Sequence, residues 1–552
     1  MTENTSSAGP TAIVAGQESL SPAVPTNLVE ALARVEHACD PDTVLRYARC
    51  TLPEGTRPLG VCWPRSTAEV QIVVQAARRL GLVLHPISCG RNWGYGDRCA
   101  GRDGCLIVDL SRMRAIVTVD PALAYAVIEP GVTQGMLFDH LRREYPTLQM
   151  DCTGAGPDAS VIGNIAERGF GHSRYGDRLL SSCNFEVVLG SGEVVRTGMG
   201  AWPGCLTAEL QHHGLGPSLH GLFTQSALGI ITQATVWLMP KQPCRTTVMI
   251  TLDEDPQFPA LVEALRPLRL AGGLPSTIHC FNGLRLVGAV ARFPYDRHDG
   301  RTSLDLIHPG GLTALLAEYG LPAWACSAYF DGRPDLVRVR LRALRQAVRR
   351  IPGCRVIALT RKRALAWQGL FGLIPWLPGV VRARAGLTKF LATVRLQEGE
   401  PDHATLGGGH WRGRGACGRD LDALDSGAGM YWISPLLPMT GAEVTAVQSI
   451  CWPIFHRYGF EYQVTFSATS DRALCAVTTV PFDRRDADER QRARSCHDAL
   501  VAALADAGYI PYRAGAPTLN LLRPHAPGHW DLSTALGSVC DPDGIFKAGK
   551  WR

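Results

Sequence analysis

The stretch Pro86-Ile-Ser-Cys-Gly-Arg-Asn-Trp-Gly-Tyr95 directly follows an apolar run with the character of a β-strand. Gly90, Gly94 and the next glycine, Gly96, allow backbone φ values that other residues resist, so consecutive N–H groups can converge on an anion. The stretch therefore favours a loop that approaches a phosphate, although the same pattern by itself is also that of an ordinary turn.

A second glycine-rich segment strengthens the first interpretation. Gly163-Asn-Ile-Ala-Glu-Arg-Gly-Phe-Gly-His-Ser-Arg-Tyr-Gly-Asp177 places its glycines among polar residues, and a hairpin pattern follows it. That hairpin runs from Phe185–Leu189 through Gly190-Ser-Gly192 into Glu193–Arg196. Two glycine-rich loops are therefore expected to frame one site.

The order of these and further motifs resembles that of a known family. In chain order they are Pro86 to Gly96, Glu129-Pro-Gly131, Gly163 to Asp177, Glu186-Val-Val-Leu189, Glu193-Val-Val-Arg-Thr-Gly-Met-Gly200 and Gly221-Leu-Phe-Thr-Gln-Ser-Ala-Leu-Gly-Ile-Ile231. The chain resembles the vanillyl-alcohol oxidase family of FAD enzymes, in the branch that contains 4-alkylphenol oxidases and para-cresol methylhydroxylase. The resemblance is close from about Trp63 to Pro240 and thins beyond it.

The resemblance implies an α+β fold in which a two-part FAD-binding domain carries an inserted α+β cap domain. The expected FAD-binding parts are residues 26–240 and a returning segment 501–552, with the cap at 241–500. Asp541 to Lys550 is similar to the closing segment of the family, with Ala548 where a proline is usual. Residues 1–25, rich in Ser, Thr, Ala and Pro, are predicted to be a disordered leader.

Local patterns agree with this α+β alternation. Ser66-Thr-Ala-Glu69 is a capping box, and the helix that it starts is expected to stop at Gly81. Strands are predicted over 82–87, 105–110 and 115–119, and a helix over 133–145. Because no Gly-x-Gly-x-x-Gly is bounded by a strand with a ribose-binding acid downstream, the pattern argues against a nicotinamide-binding Rossmann domain.

Composition excludes several other classes of protein. The 552 residues are 46% hydrophobic and 19% charged with a net charge of +6, which gives no concentrated basic face for nucleic acid. No apolar run reaches transmembrane length, and the start of the chain lacks a signal-peptide pattern. The 18 cysteines are dispersed without metal-site spacing, so we expect a cytoplasmic protein with no metal.

The resemblance also selects residues for substrate chemistry. Tyr512 and Arg513 match the Tyr-Arg pair of the family, and Tyr95 matches the tyrosine of its Gly-Tyr-Gly loop. A free phenol has a pKa of roughly 10, so a fixed positive charge and two hydroxyl donors would favour the phenolate. A phenolate makes the benzylic C–H of its para substituent a hydride donor to flavin N5, and a quinone methide results.

An acid/base group beside N5 is also implied. Asp158, in the pair Pro157-Asp158, matches the family aspartate best, although the spacer before the following Ser-x-x-Gly-Asn element is shorter here. Asp151 is the competing assignment.

FAD is the cofactor that the resemblance implies, held by both glycine-rich loops, by the later Gly-Ile-Ile element and by the end of the chain. The assigned residues are Pro86, Ile87, Ser88, Cys89, Gly90, Arg91, Asn92, Gly94, Gly131, Gly163, Asn164, Glu167, Arg168, Gly169, Gly171, His172, Tyr175, Gly176, Gly229, Ile230, Ile231 and Lys547.

One departure from the family concerns covalent flavin. Several members attach FAD through a histidine just before a Ser-Pro of the cap, and Met430 occupies that position here. Tyr47-Ala-Arg-Cys50 likewise offers no histidine where the attachment-promoting one is expected. We therefore predict non-covalent FAD, with a tyrosyl ether at Tyr431 as the minor alternative.

The expected partners are a small phenolic substrate and either O2 or a cytochrome-type acceptor, with a homodimer as the default assembly. Two alternatives stay open: an FAD enzyme acting on a non-phenolic alcohol or hydroxy acid, whose carboxylate Tyr512 and Arg513 would bind, and a degenerate protein that keeps FAD as a structural element.

Gly369 to Val381 is an apolar stretch with two prolines. It is interpreted as a core or subunit contact, and the alternative is a membrane-surface or docking loop.

Overall fold

The computed structural model describes residues 25, 27–373, 376, 378–415 and 422–548. All of the predicted leader except residue 25 lies outside these residues, as do positions 374, 375 and 377 of the apolar stretch at Gly369–Val381.

The strands are β1 Glu36–Ala38, β2 Gly60–Trp63, β3 Leu84–Ile87, β4 Leu106–Asp109, β5 Ile116–Asp120, β6 Tyr125–Ile128, β7 Leu148–Gln149, β8 Ser182–Val188, β9 Val194–Arg196, β10 Ile230–Trp237, β11 Met239–Pro240, β12 Cys244–Leu252, β13 His279–Asn282, β14 Trp324–Gly332, β15 Arg355–Leu359, β16 Ala428–Ile433, β17 Leu436–Pro438, β18 Gln463–Ser467 and β19 Ala473–Asp483. The α-helices are α1 Leu28–Ala31, α2 Pro41–Tyr47, α3 Thr67–Leu80, α4 Gln134–Glu144, α5 Val161–Ala166, α6 Phe258–Leu270, α7 Gly283–Gly288, α8 Leu304–Ile307, α9 Gly311–Tyr319, α10 Pro334–Val348, α11 Arg361–Gly372, α12 Pro378–Gln397, α13 Ala423–Ser426, α14 Gly441–Tyr458, α15 Ala487–Asp506, α16 Ala516–Leu522 and α17 Pro527–Cys540.

Local signals fix α3 as predicted. The Ser66 hydroxyl accepts a hydrogen bond from the backbone N–H of Glu69 at 3.2 Å, and Gly81 ends the helix at φ +62°. The predicted strands appear as β3, β4 and β5 and the predicted helix as α4, with ends that differ by no more than two residues. The predicted hairpin is confirmed by the antiparallel pairing of β8 with β9.

Two sheets form the N-terminal part of the molecule. The first has the order β1-β2-β4-β3, in which β4 runs parallel to both β2 and β3. The second is antiparallel with the order β5-β6-β10-β8-β9. The end of the chain returns to the first sheet, because the N–H of Leu84 donates to the carbonyl of Ile545 at 2.7 Å.

A large antiparallel sheet follows, with the order β15-β12-β14-β13-β18-β19-β16 and β17 beside β19. Side chains alternate between its two faces. One face, with Val248, Cys280 and Phe466, is buried in the same apolar core as residues of α6, α10, α14 and α15. The predicted domain boundary at residue 500 falls inside α15, which packs on this sheet.

The opposite face of the large sheet carries His279, Phe281, Ser327, Thr465 and Trp432, and we call it the open face. It is the surface on which the functional site is built. Over the described ranges, no helix has the combination of length and apolar character that crossing a membrane requires.

Candidate active site

A cavity of about 1930 Å³ lies between the two glycine-rich segments and the open face of the large sheet. We call residues 86–96 and 160–169 the floor of this cavity and the open face its roof. Typical small-molecule pockets measure about 300–1,000 Å³. The cavity therefore has room for a large cofactor together with a second ligand.

The floor is built from backbone that comes very close to neighbouring groups. Gly94 has φ +73°, and a Cβ at this position would overlap the indole of Trp432 in the roof. A Cβ at Gly163 would overlap the hydroxyl of Ser88. At Gly94 both the positive φ and the close contact favour glycine, whereas at Gly163 a larger residue would force the Ser88 side chain to move.

Three side chains predicted for substrate chemistry come together at one end of the cavity. The guanidinium carbon of Arg513 lies 4.1 Å from the ring centre of Tyr95, and Tyr512 interacts with both residues. Arg513 also donates to the Asn92 side-chain oxygen, and its Nε lies 3.6 Å from Glu167 Oε2. We call Tyr95, Tyr512 and Arg513 the clamp.

The clamp is assembled from distant segments by side chains and backbone. The Tyr95 hydroxyl lies 3.1 Å from Ser434 Oγ, and the N–H of Tyr512 donates to the carbonyl of Ser434 at 3.1 Å. Gln225 Nε2 donates to the carbonyl of Tyr512 at 2.9 Å. The clamp is thus held in place by residues from the end of β16 and from the loop before β10.

Burial keeps the clamp in one protonation state. It raises the pKa of Tyr95 to about 12, against the lowering effect of Arg513, and raises the pKa of Tyr512 further. Burial also acts to lower the pKa of Arg513, but Tyr512 and Glu167 outweigh it and leave that pKa raised. At neutral pH the clamp therefore presents two hydroxyl donors and one positive charge.

Two imidazoles line the cavity near the clamp. The rings of His172 and His279 lie 4.1 Å apart, and Phe170 lies 6.1 Å from His279 and 5.5 Å from Tyr512. Burial lowers the pKa of His172 to about 4 and that of His279 well below its usual value. Both imidazoles are therefore neutral at physiological pH.

Several buried polar atoms of the cavity wall have no hydrogen-bond partner within the described part of the chain. They are Trp93 Nε1, His172 Nδ1, Thr251 Oγ1, His279 Nε2 and Ser327 Oγ. Buried polar atoms normally find partners, so unpaired ones that line a large cavity indicate a polar ligand. FAD, with its phosphates, hydroxyls and polar aromatic ring, fits this wall and the glycine floor.

Most of the predicted cofactor residues line the cavity. They are Pro86, Ile87, Ser88, Cys89, Gly90, Arg91, Asn92, Gly163, Asn164, Glu167, Gly169, His172, Gly229, Ile230 and Ile231. The others lie outside its lining: Gly94, Gly131, Arg168, Gly171, Tyr175, Gly176 and Lys547.

Most of that second group supports the fold around the cavity. Arg168 donates to Thr224, the Tyr175 hydroxyl donates to the carbonyl of Leu238, and Gly171 leaves room for the Asp151 carboxylate. Lys547 is exposed.

Neither aspartate considered for acid/base chemistry lines the cavity. The side chain of Asp158 is 60% exposed and lies 3.6 Å from Arg91. Asp151 is buried against Arg178 at 3.8 Å and accepts a hydrogen bond from the N–H of Ser173. An acid/base role for Asp158 stays a prediction, with the carboxylate at the surface in this structure.

Two neighbouring residues of β16 were considered for covalent attachment of FAD, and their side chains lie on opposite faces of the strand. Met430 lines the cavity, and its thioether cannot form the histidyl link. Tyr431 points to the opposite face of the strand, where it stacks on His497 at 4.3 Å. An ether link to FAD would require the Tyr431 side chain to lie on the cavity face of β16, where Met430 lies.

Sequence reasoning missed four residues of the site. Ser434, Trp432 and Arg285 lie in the part of the chain where the family resemblance thins, whereas Gln225 lies inside the motif Gly221–Ile231. Gln225 and Ser434 had a local signal, because each lies in a motif already used, Gly221–Ile231 and the Ser-Pro of the cap. The φ of +47° at Gln225, unusual for a residue other than glycine, became visible only in the structure.

Comparison with known proteins decides the family. A family model described as an FAD binding domain matches residues 58–198. The 4-cresol dehydrogenase (hydroxylating) flavoprotein subunit of Pseudomonas putida is 27% identical over 516 residues, covering 92% of this chain and 91% of the relative. The 1'-carboxy-chondrochloren decarboxylase of Chondromyces crocatus is 32% identical over 499 residues, covering 88% of this chain and 89% of the relative. The chain belongs to the vanillyl-alcohol oxidase and para-cresol methylhydroxylase family.

A solved structure of this family shares the fold. The 4-ethylphenol oxidase from Gulosibacter chungangensis, in its isoeugenol complex, has a TM-score of 0.84 at 26% identity, covering 97% of this chain and 99% of that one. The predicted family, fold class and cofactor are confirmed. The protein is an FAD-dependent oxidoreductase of the vanillyl-alcohol oxidase and para-cresol methylhydroxylase family.

Proposed function

We propose that this protein oxidises a para-substituted phenol at its benzylic carbon and holds the ring as a phenolate in the clamp. The observation that carries the proposal is the meeting of Arg513 with Tyr95 and Tyr512 at one end of the cavity. These are the groups that a phenolate oxygen requires, namely one fixed cation and two neutral donors.

The clamp acts by changing which form of the substrate is bound. A phenol with an ordinary pKa of roughly 10 loses its proton near neutral pH when the anion is paired with a cation and hydrogen-bonded. Because Tyr95 and Tyr512 keep their own protons, each can donate to the phenolate oxygen. Bound FAD supplies the acceptor for the hydride that leaves the benzylic carbon, and the substrate becomes a quinone methide.

The names of two relatives support a phenolic substrate. One is a 4-cresol dehydrogenase and the other a 4-ethylphenol oxidase, and both names specify a phenol with a para substituent. We carry four further predictions into the proposal: FAD bound without a covalent link, O2 or a cytochrome-type protein as the acceptor, a homodimer, and Asp158 as the acid/base group.

The test is the visible spectrum of the purified protein before and after acid precipitation, followed by anaerobic addition of 4-ethylphenol. We expect yellow colour that moves to the supernatant on precipitation and that 4-ethylphenol bleaches in the native protein. Colour kept in the pellet would contradict non-covalent FAD. Flavin that no phenol bleaches would contradict phenol oxidation and move the assignment to an alcohol or hydroxy acid.

A second candidate reaction is oxidation with loss of carbon dioxide, which the relative named 1'-carboxy-chondrochloren decarboxylase favours. In this reaction a substrate with a carboxylate on the carbon next to the benzylic one gives its hydride to FAD. The resulting quinone methide then breaks the bond to the carboxylate. The electron pair of that bond forms a vinyl double bond and restores the phenolate, so the products are carbon dioxide and a 4-vinylphenol.

The two candidates give different products from 3-(4-hydroxyphenyl)propanoate. Oxidative decarboxylation yields 4-vinylphenol and one carbon dioxide for each flavin reduced, whereas simple oxidation keeps every carbon atom. Mass spectrometry of an anaerobic single turnover decides between them.

A further inference from the structure

Arg285 is an arginine of the cavity wall without a carboxylate partner in the part of the chain that the structure describes. It lies on α7, directly after β13, and its Nη1 donates to Thr479 Oγ1 at 2.9 Å. Among the described residues no carboxylate oxygen lies within 4.0 Å of this guanidinium. The other donors of its planar fork therefore remain available to a ligand.

Other arginines of the same region have carbonyl or carboxylate partners, and Arg292, which has no carboxylate within 4.0 Å among the described residues, donates to the carbonyls of Gly413 and Gly415. Arg245 lies 3.0 Å from Asp331, Arg269 lies 3.1 Å from Asp471, and Arg412 lies 2.9 Å from Glu461. A buried charge without compensation is costly, and proteins normally pair it. Arg285 therefore differs from its neighbours in a way that a bound anion would explain.

The surroundings leave room for that anion. Arg285, Trp432 and Gly408 all line the cavity, and the guanidinium carbon lies 5.1 Å from the ring centre of Trp432. A Cβ at Gly408 would lie only 3.4 Å from Arg285 Nη1, so glycine keeps this side of the guanidinium open. Burial lowers the pKa of Arg285 to about 10, so the guanidinium is still charged at neutral pH.

Arg285 lies on α7 but contacts β16, the strand that leads to the clamp. It packs on Trp432, while the Tyr95 hydroxyl of the clamp contacts Ser434, two residues further along the chain. Two residues of extended chain span about 7 Å. The guanidinium and the clamp thus contact positions two residues apart on one chain segment, a spacing that the two ends of a para-substituted phenol can span.

We propose that Arg285 binds a carboxylate at the end of the para substituent, so that the preferred substrates are phenols with an anionic side chain. The inference rests on the proposed function, because the clamp fixes the ring end of the substrate. Thr479 holds one nitrogen of the fork, and the remaining N–H groups can bind a carboxylate by charge-assisted hydrogen bonds.

The test measures binding separately from oxidation. Holoprotein reduced with dithionite under anaerobic conditions cannot oxidise a phenol, so calorimetric titration gives true affinities. The probes are 3-(4-hydroxyphenyl)propanoate and the uncharged 4-propylphenol. We expect the wild type to bind the carboxylate at least tenfold more tightly than 4-propylphenol, and Arg285→Gln to abolish most of that preference.

Two further variants distinguish a specific loss of carboxylate binding from misfolding. Arg285→Lys keeps the charge without the fork and should retain a reduced preference. Thr479→Val removes the hydroxyl that orients Arg285 and should lower the preference about threefold. Each variant is compared at matched FAD content and thermal midpoint.

The outcomes separate this inference from the proposed function. An unchanged preference in Arg285→Gln, or a wild type that prefers 4-propylphenol, would overturn the carboxylate site even if phenols reduce the flavin. Arg285-dependent binding in a protein whose oxidised flavin no phenol reduces would sustain the anion site while phenol oxidation fails. An equal loss of both probes, or of FAD itself, would assign Arg285 to the cofactor and overturn the proposal.

Discussion

The floor and the roof of the cavity solve the same problem, contact with a ligand, by different means. The floor uses the backbone of two short segments, and its glycines allow the close approaches at Ser88 and Trp432. The roof uses side chains from strands that begin as far apart in the sequence as Cys244 and Ala473. The difference teaches that a cofactor loop can be recognised in a local pattern, whereas a substrate wall cannot.

Strand register decides what the roof contains. His279 pairs with Ser327 on one side and with Ser467 on the other, so one row across three strands presents polar atoms to the cavity. A shift of the register by one residue would turn each of these side chains into the apolar core. No local feature of the three strands encodes that alignment.

The largest expected effect lies where floor and roof meet. Arg513→Met removes the charge that stabilises a phenolate and the contacts to Tyr95 and Asn92. We expect kcat/KM for 4-ethylphenol to fall by about 10³-fold, the range found when a group that stabilises an oxyanion is lost. The exposed Arg342→Met is the matched control. A variant that kept more than a tenth of wild-type activity would remove Arg513 from the proposed mechanism.

The floor is tested at Gly163. Alanine favours a helix over glycine by about 1 kcal/mol, so Gly163→Ala would stabilise α5 if packing were irrelevant. Because the new Cβ would overlap Ser88, we expect FAD affinity to fall at least tenfold, in line with overpacking costs of about 1–3 kcal/mol. Flavin content measured by absorbance gives the result.

Two variants control this experiment. Gly221→Ala, where a Cβ would meet no atom within 4 Å, should keep full FAD content. Adding Ser88→Ala to Gly163→Ala should restore part of the loss. Failure of both expectations would mean that the floor does not depend on backbone approach.

The neutral imidazoles predict an acid-labile cavity wall. The pKa of His172 is lowered to about 4 by burial, so its contribution to stability is complete above pH 6.5 and is lost as the pH falls through 4. Over that window His172→Gln should reduce the loss in the free energy of unfolding by about 3 kcal/mol. Urea unfolding at a series of pH values measures it, with the exposed His529→Gln as control. Parallel pH curves for wild type and His172→Gln would show that another group causes the acid sensitivity.

The smallest expected effect concerns Ser434, which lies directly after β16 and whose role the sequence did not reveal. Ser434→Ala removes the partner of the Tyr95 hydroxyl, and a neutral hydrogen bond contributes about 0.5–1.5 kcal/mol. We expect kcat/KM to fall about three- to tenfold. In Tyr95→Phe the Ser434 hydroxyl has no tyrosine hydroxyl to bind, so adding Ser434→Ala to that variant should cause almost no further loss of kcat/KM. If the two substitutions lower kcat/KM independently, the serine acts elsewhere.

The sequence predicted the floor far better than the roof. Capping at Ser66 and the turn at Gly81 follow from neighbouring residues, since φ preferences and capping act over a few positions. The cavity-lining residues of the two loops came from the family resemblance. Resemblance supplied the clamp residues. It did not supply Ser434 or Arg285, and it favoured Asp158, whose carboxylate the structure places outside the cavity.

By itself the sequence determined the class of this protein, because the order of its glycine-rich motifs resembles that of an FAD-binding family and its local helix and strand signals agree with that fold. Only the tertiary structure decided which side chains face the substrate. Arg285 and Trp432 line the cavity, and Ser434 holds Tyr95 beside it, because of strand register and sheet packing. Both depend on burying one face of eight strands at once. Such a constraint acts over the whole sheet, so no single stretch of sequence displays it.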